Sequence, residues 1–356
     1  MSNSQISEKI CEILENAKQL ESIGRYEDAL GFLSPYWENL NEPPNTIGLN
    51  AEEQAELYLR CGSLVGYIGS CSQTENSQEF AKNLITEALE LFLALQIEAK
   101  IAECETCIAA TYLRIGETDE ARVWLTSSFS RNLNETNEIR MYTHILEGFA
   151  LLAEKNFTEL VEKYLQLEKY FRVSSNYVLQ GDFNNNYAIA LMRLGKKEKS
   201  IERFDLAKFF YEKTGHYLYL GLVENNLAGF FQLDECYKEA HKSIKSACKT
   251  FQRLGDKNRE GYSLDTRSQI FMSEGKYAEA LECSNQAIKL LESGENYCYL
   301  ANSLQTKSHI EFHLKDYANS LNTMIGSVNI CSLHISQTQA DKFREDYAEL
   351  LKTLEK

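Results

Sequence analysis

The sequence predicts an all-α fold: an α-α superhelix of about eight helical hairpins followed by a C-terminal capping helix. Three observations lead to this prediction. A short turn motif recurs every 39 or 40 residues from residue 116 to residue 315. Apolar residues with helical spacing precede and follow each turn, so each unit is a helix–turn–helix hairpin. All three prolines lie within the first 44 residues, so the helices that follow are uninterrupted.

The turn motif places the elements in order along the chain. Its occurrences are GRYEDA at 24–29, GETDEA at 116–121, KNFTEL at 155–160, GKKEKS at 195–200, ECYKEA at 235–240, GKYAEA at 275–280 and KDYANS at 315–320. Stepping back 40 residues from the second occurrence reaches Asn76, in a polar loop before another helical stretch. The separation of 52 residues between Gly24 and Asn76 exceeds one period, and the proline-containing segment 41–50 holds most of the excess.

These positions predict a single solenoid over residues 1–356. We expect an N-terminal hairpin at 1–45, a hairpin with loop insertions at 46–96 and six repeats of about 40 residues at 97–335. The last segment, 336–356, carries one apolar stripe on an otherwise polar helix, which predicts a cap on the open end of a stack. The stripe consists of Phe343, Tyr347, Leu350, Leu351 and Leu354.

Charge and cysteine content restrict the class of partner. The chain has 37 Lys and Arg against 52 Asp and Glu, a net charge of -15, which disfavours nucleic acid and anionic membranes. With no long apolar run and no secretory signal at its start, we expect a cytoplasmic protein, a monomer or weak homo-oligomer. The ten cysteines lack a regular spacing and are interpreted as reduced thiols that act mostly as small buried apolar side chains.

The turn motif resembles the tetratricopeptide repeat, which has a small residue in its first helix, Gly at the turn, an aromatic two residues later and Ala three further on. The resemblance covers roughly residues 5–335. It departs from the family in its period, which is usually about 34 residues, and in lacking the proline at each repeat end. The longer period is similar to that of bacterial peptide-responsive regulators, kinesin light chains and spindle-orientation adaptors. The turn Gly is matched by Gly24, Gly116, Gly195 and Gly275, and the aromatic by Tyr26, Phe157, Tyr237, Tyr277 and Tyr317.

The resemblance implies a right-handed superhelix whose first helices line a concave groove and whose second helices form the convex back. In the family, an Asn in the middle of the first helix often bonds the backbone of a ligand, because an amide both donates and accepts hydrogen bonds. The matching residues are Asn186 and Asn226, each preceded by a second Asn, Asn185 and Asn225. The alternative is that these amides bond one another or cap local turns.

Further groove candidates combine apolar, polar and charged side chains, which suits a ligand with apolar anchors and a polar backbone. Two of them, Arg267 and Lys307, occupy a position that is usually apolar in the family. They either reach the groove as charge partners of an acidic ligand or extend to solvent. The full set is Tyr142, Phe149, Arg193, Tyr262, Asp265, Arg267, Gln305 and Lys307.

A basic stripe follows the turn at residue 235. Its members are spaced by four, three, four and four residues, which places them on one helix face. On an acidic protein, such a stripe either docks an acidic partner on the convex side or is simply a solvated face. The basic stripe consists of Lys238, Lys242, Lys245, Lys249 and Arg253.

Catalytic and metal-binding patterns are weak. The sequence contains no glycine-rich phosphate loop, and Cys104 and Cys107 form a lone pair inside a predicted helix, where two packed thiols are the simpler interpretation. His309 and His313 share a helix face without an obvious third ligand. We therefore expect no cofactor, no metal and no enzymatic activity.

The first hypothesis is a non-catalytic scaffold or regulator that captures a protein or peptide segment in its groove and controls that partner. The alternative is an intracellular peptide-signal sensor that changes superhelical conformation and releases or inhibits an effector, such as a protease, a transcription factor or a response regulator.

Overall fold

The computed structural model describes residues 3–72, 74–294, 296–335 and 337–353, with side chains from residue 9 onward. Within these ranges the chain forms seventeen α-helices and no β-strand. It divides into two compact units. The first unit is Met1–Gly69 with Asn76–Leu220, and the second unit is Ser70–Glu75 with Gly221–Lys356. The single solenoid over 1–356 stays a prediction.

The helices alternate as first and second members of eight hairpins, and a last helix follows them. In chain order they are α1 Asn3–Ser22, α2 Tyr26–Leu33, α3 Ala51–Ser72, α4 Ser77–Leu95, α5 Glu98–Ile115, α6 Thr118–Ser130, α7 Glu138–Ala153, α8 Phe157–Arg172, α9 Tyr177–Arg193, α10 Lys197–Thr214, α11 Tyr217–Leu233, α12 Tyr237–Leu254, α13 Lys257–Ser273, α14 Tyr277–Leu291, α15 Tyr297–His313, α16 Tyr317–His334 and α17 Gln337–Lys352. Within the units, partners of one hairpin pack closely, as in α9 with α10 and α13 with α14. Successive first helices also pack directly, as in α5 with α7 and α13 with α15.

The turn inside each hairpin has one backbone conformation throughout the chain. The residue at the first motif position adopts a left-handed φ, which closes the first helix and redirects the chain into the second. Glycine occupies four of these positions because it takes this φ without steric cost. The eight turn residues are Gly24, Asn76, Gly116, Lys155, Gly195, Glu235, Gly275 and Lys315, with φ between 57° and 88°. They match the repeat register predicted from the sequence.

Small residues allow the two helices of a hairpin to approach each other. Ala121, Ala240 and Ala280 of the second helices are fully buried. Ser268 in α13 donates a hydrogen bond of 2.8 Å to the carbonyl of Ala280 in α14, so this hydroxyl is satisfied inside the contact. The close packing within each hairpin fixes the register of the first helix against the second.

The irregular connections and the C-terminal helix complete the two units. Residues 34–50, between α2 and α3, are non-helical and include the two adjacent prolines. In the second unit, α17 buries Phe343 and Tyr347 against α16, whereas Leu351 is 41% exposed. Leu354, assigned to the same stripe from the sequence, lies outside the described residues. No described helix is both long and apolar enough to span a membrane.

Candidate functional site

The candidate site is one face of the first helices of the hairpins, called the first-helix face. We define it by five positions in each first helix, those that precede the turn residue by 13, 10, 9, 6 and 2 residues. In the first unit this face contains Asn185 and Asn186, and both are buried. The amide nitrogen of Asn186 donates to the carbonyl oxygen of Ile145 and to the Tyr164 hydroxyl, each at 3.3 Å. Asn186 therefore ties α9 to α7 and α8. The side-chain oxygen of Asn186 has no hydrogen-bond partner among the described residues, and its role in ligand binding stays a prediction.

In the second unit, the position ten residues before the turn is polar in three successive hairpins, where it holds Asn225, Asp265 and Gln305. Asn225 and Asp265 are buried, and one side-chain oxygen of each has no hydrogen-bond partner among the described residues. Gln305 is partly exposed and donates to Asp346 of α17 at 3.1 Å. Asn226, the next residue after Asn225, is partly exposed.

Asp265 is the centre of a small polar network between α13 and α15. Its Oδ2 accepts a hydrogen bond of 2.8 Å from Gln269, whose amide nitrogen also lies 3.5 Å from the Thr306 hydroxyl. Burial raises the pKa of Asp265 to about 6, and the hydrogen bond from Gln269 limits the rise. Close to neutral pH, this carboxyl can therefore accept or donate a hydrogen bond.

Aromatic side chains occupy this face in each unit. In the second unit, Tyr262 stacks on Tyr299 with ring centroids 4.6 Å apart. In the first unit, Tyr142 is partly exposed, and its hydroxyl lies 3.1 Å from that of Tyr67. Phe149 is 38% exposed. These rings offer apolar surface and hydroxyl groups on the first-helix face, and their contact with a ligand stays a prediction.

Charged candidates fall into two groups. Arg193 is exposed at the end of α9. Burial raises the pKa of the thiols of Cys248 in α12 and Cys283 in α14, and the positive charge of Arg267 opposes this rise, so its guanidinium lies near the second helices. Arg267 follows Asp265 by two residues, a rotation of about 200° around the helix, so the side chains of Asp265 and Arg267 point in different directions.

Lys307 has the same register as Arg267. It pairs with Glu311 at 3.7 Å, and Glu311 accepts a hydrogen bond of 2.7 Å from Thr323 in the second helix α16. The expectation that Arg267 and Lys307 reach the groove is therefore not supported by their surroundings.

The basic stripe on α12 is exposed along its whole length. None of its five cations forms an ion pair within the described part of the chain. The helix contains one acidic residue, Glu239, in its first turn. The stripe is therefore a locally cationic face on a chain of net charge -15.

Among the described residues, no group of three or more His, Cys, Asp or Glu side chains could hold a metal ion. His313 stacks on Tyr277 with centroids 4.9 Å apart, and desolvation lowers the pKa of His309. Burial raises the pKa of the Cys107 thiol to about 11 and that of Cys104 further, so both are protonated near neutral pH.

Sequence reasoning missed Arg114, which lies on the first-helix face of the first unit. Its guanidinium carbon is 4.1 Å from the centroid of the Tyr67 ring. A signal was present, because Arg114 precedes the turn residue Gly116 by two positions, as Arg193 precedes Gly195. The resemblance to the repeat family drew attention to the middle of each first helix instead.

The fold and the repeated face define the class of protein: the chain is an all-helical repeat protein built of helical hairpins. Comparison with family models finds no match, and comparison with curated proteins finds none either. Solved structures share the fold at low sequence identity.

One similar structure is a Rap protein complexed with competence and sporulation factor (14% identity, 83% of this chain and 80% of that chain, TM-score 0.64). Another is NprR in complex with its cognate peptide NprX (11%, 85% and 82%, TM-score 0.57). A third is aspartyl phosphate phosphatase F from Bacillus subtilis (12%, 94% and 95%, TM-score 0.57). At these identities the likeness establishes the fold.

Proposed function

We propose that this chain is a non-catalytic regulator or scaffold that binds an extended peptide, or an extended segment of a partner protein, along its first-helix face. The observation that carries the proposal is the polar position shared by Asn225, Asp265 and Gln305 in successive hairpins. A buried polar atom without a partner costs about 1–3 kcal/mol. Hydrogen bonds from a ligand to the open acceptors of Asn225 and Asp265 would offset that cost.

The spacing of these positions suits an extended backbone. The first helices α13 and α15 pack directly, and packed helix axes are about 8–10 Å apart. An extended peptide advances about 3.3 Å per residue. One polar position per hairpin therefore meets about every third residue of a ligand that runs across the helices. Amides and carboxyls at these positions would recognise the ligand backbone, and the partly exposed aromatic rings would select its side chains.

Two of the solved structures that share this fold support the proposal, since each holds a bound ligand. The Rap protein is complexed with competence and sporulation factor, and NprR is complexed with its cognate peptide. The third protein with this fold is a phosphatase by name. We include the lack of catalysis in the proposal because the sequence carries no nucleotide-binding or metal-binding motif.

The proposal can be tested with a pool of random octapeptides that contains no Asp or Glu and is amidated at its C-terminus. We expect immobilised protein to retain a subset of this pool, and the Asn225→Ala plus Asn226→Ala variant to retain at least about fivefold less, about 1 kcal/mol. The matched control is Asn285→Ala, an exposed amide on the second helix α14. Equal retention by all three proteins would contradict the proposal, provided that the variants melt like the wild type.

The retained peptides also separate the two functional hypotheses. At saturation, a decrease in the radius of gyration measured by small-angle X-ray scattering would support the conformational sensor. An unchanged radius would support a rigid scaffold.

The basic stripe supports a second proposal, that α12 docks an acidic segment of a protein partner. Five exposed cations without an acidic partner along one helix face create a local field that a carboxylate-rich segment complements. A peptide of alternating Glu and Ser should bind at low salt, and the Lys242→Glu plus Lys245→Glu variant should lose this binding. Tighter binding of a duplex DNA of equal charge would overturn the choice of a protein partner.

A further inference from the structure

Arg114 at the end of α5 occupies an unusual environment within the first unit. It is partly buried, and its guanidinium lies over the ring of Tyr67 in α3. Gly66 makes this approach possible, because a Cβ at that position would lie 2.9 Å from Nη1 of Arg114. The guanidinium is therefore held against α3 by the shape of the helix surface.

Other arginines of the first unit that lie away from solvent have an acceptor for the guanidinium, which for Arg140 is the backbone carbonyl of Arg131 at 2.6 Å and for the others is a carboxylate. Arg131 pairs with Glu105 at 2.6 Å, and Arg203 pairs with Glu168 at 2.9 Å. Among the described residues, no carboxylate pairs with Arg114. Removing a charge from water without a counter-charge is costly. On a chain with 52 acidic residues, an arginine held in this way is a candidate for binding an anion.

Two tyrosine hydroxyls complete the surroundings of this guanidinium. Tyr67 and Tyr142 approach each other with their hydroxyl oxygens 3.1 Å apart, and Tyr26 stacks on Tyr67 with ring centroids 4.5 Å apart. Burial raises the pKa of Tyr142, so its hydroxyl stays a neutral donor.

We propose that Arg114, Tyr67 and Tyr142 bind a carboxylate of the peptide ligand, an inference that rests on the proposed function. The planar guanidinium can bind both carboxylate oxygens, and the hydroxyls supply further donors. A carboxylate suits the site because its single charge matches that of one guanidinium, whereas a phosphate monoester carries nearly two. The carboxylate can come from the C-terminus of the peptide or from an Asp or Glu side chain.

Three octapeptide pools distinguish these sources: the acid-free amidated pool described above, an acid-free pool with a free C-terminal carboxylate, and an amidated pool that contains Glu. We expect wild-type protein to retain one or both of the carboxylate pools better than the baseline pool. Arg114→Gln should abolish this preference, with a loss of about tenfold for an ion pair worth about 1.4 kcal/mol. The pool that loses retention identifies the source of the carboxylate.

Controls keep the two proposals separate. Arg172→Gln removes one exposed charge from the second helix α8 of the same unit and should change nothing. If Arg114→Gln melts below the wild type, Tyr142→Phe is used in its place, with an expected loss of about threefold in the carboxylate pools. If the wild type and these variants retain all three pools equally, the carboxylate site is wrong. Retention of the acid-free amidated pool in that case would still support the proposed peptide binding.

Discussion

Replacing Gly148 in α7 by Ala tests the packing of the first unit most directly. A Cβ at this position would lie 2.1 Å from the Tyr164 hydroxyl oxygen and 3.2 Å from the amide nitrogen of Asn186. Tyr164 is 1% exposed, and its ring stacks on Phe183 with centroids 4.4 Å apart. The ring therefore has no free space into which it can move.

The expected magnitude follows from three contributions. Overpacking a dense core costs about 1–3 kcal/mol. Displacing Tyr164 also weakens its hydrogen bond with Asn186, worth about 1 kcal/mol. The higher helix propensity of Ala returns up to about 1 kcal/mol. We expect Gly148→Ala to lower the free energy of unfolding by about 1–3 kcal/mol.

The assay is urea unfolding followed by far-UV circular dichroism, with Gly229→Ala as the matched control. Gly229 is also helical, but a Cβ added there would meet no atom within 4 Å, so Ala at this position should raise stability by about 0.5–1 kcal/mol. Tyr164→Phe removes the clashing oxygen, so the double variant with Gly148→Ala should be more stable than the sum of the single effects. Equal stability of the two Gly→Ala variants, or strict additivity in the double variant, would refute the reasoning.

Three further predictions concern charge and the C-terminal helix. Burial raises the pKa of Asp182 to about 7. The stability that protonated Asp182 contributes below about pH 4 is therefore lost as the pH rises toward 7. In melts at several pH values, Asp182→Asn should remove up to about 4 kcal/mol of this pH dependence, whereas the variant of an exposed residue, Asp205→Asn, should leave it unchanged. Arg60→Met leaves the buried carboxylate of Glu103 without its main partner and should cost about 3–5 kcal/mol in urea unfolding. Deleting 337–353 exposes the apolar face of α16 and should produce concentration-dependent association in analytical ultracentrifugation; a monomer at all concentrations would contradict this.

The hairpin register was predictable because it depends on local interactions. A left-handed turn residue recurs in every hairpin, in most of them with an aromatic two positions later and a small residue three further on, and the structure confirms all eight turn residues. Apolar periodicity and the restriction of proline to the start of the chain indicated the helices by the same short-range logic.

The candidate site was predictable only in part. Adjacent residues on a helix differ by about 100° in direction, so the pair Asn185 and Asn186 does not reveal which amide turns toward its neighbours. Packing decides this, because Tyr164 and Ile145 supply hydrogen-bond partners to Asn186 inside the core. The direction of Arg267 was open for a related reason: its positive charge acts on the thiols of the second helices, and its contact with a ligand stays a prediction.

The sequence by itself determined the fold class, the repeat period, the number of hairpins and the basic stripe, since each depends on spacing along one or two helices. Only the tertiary structure decided which polar residues remain without partners. The carboxylate site combines Tyr67, Arg114 and Tyr142 from three different hairpins, and no local pattern relates their positions. Their proximity depends on how successive first helices pack, which is a property of the folded chain.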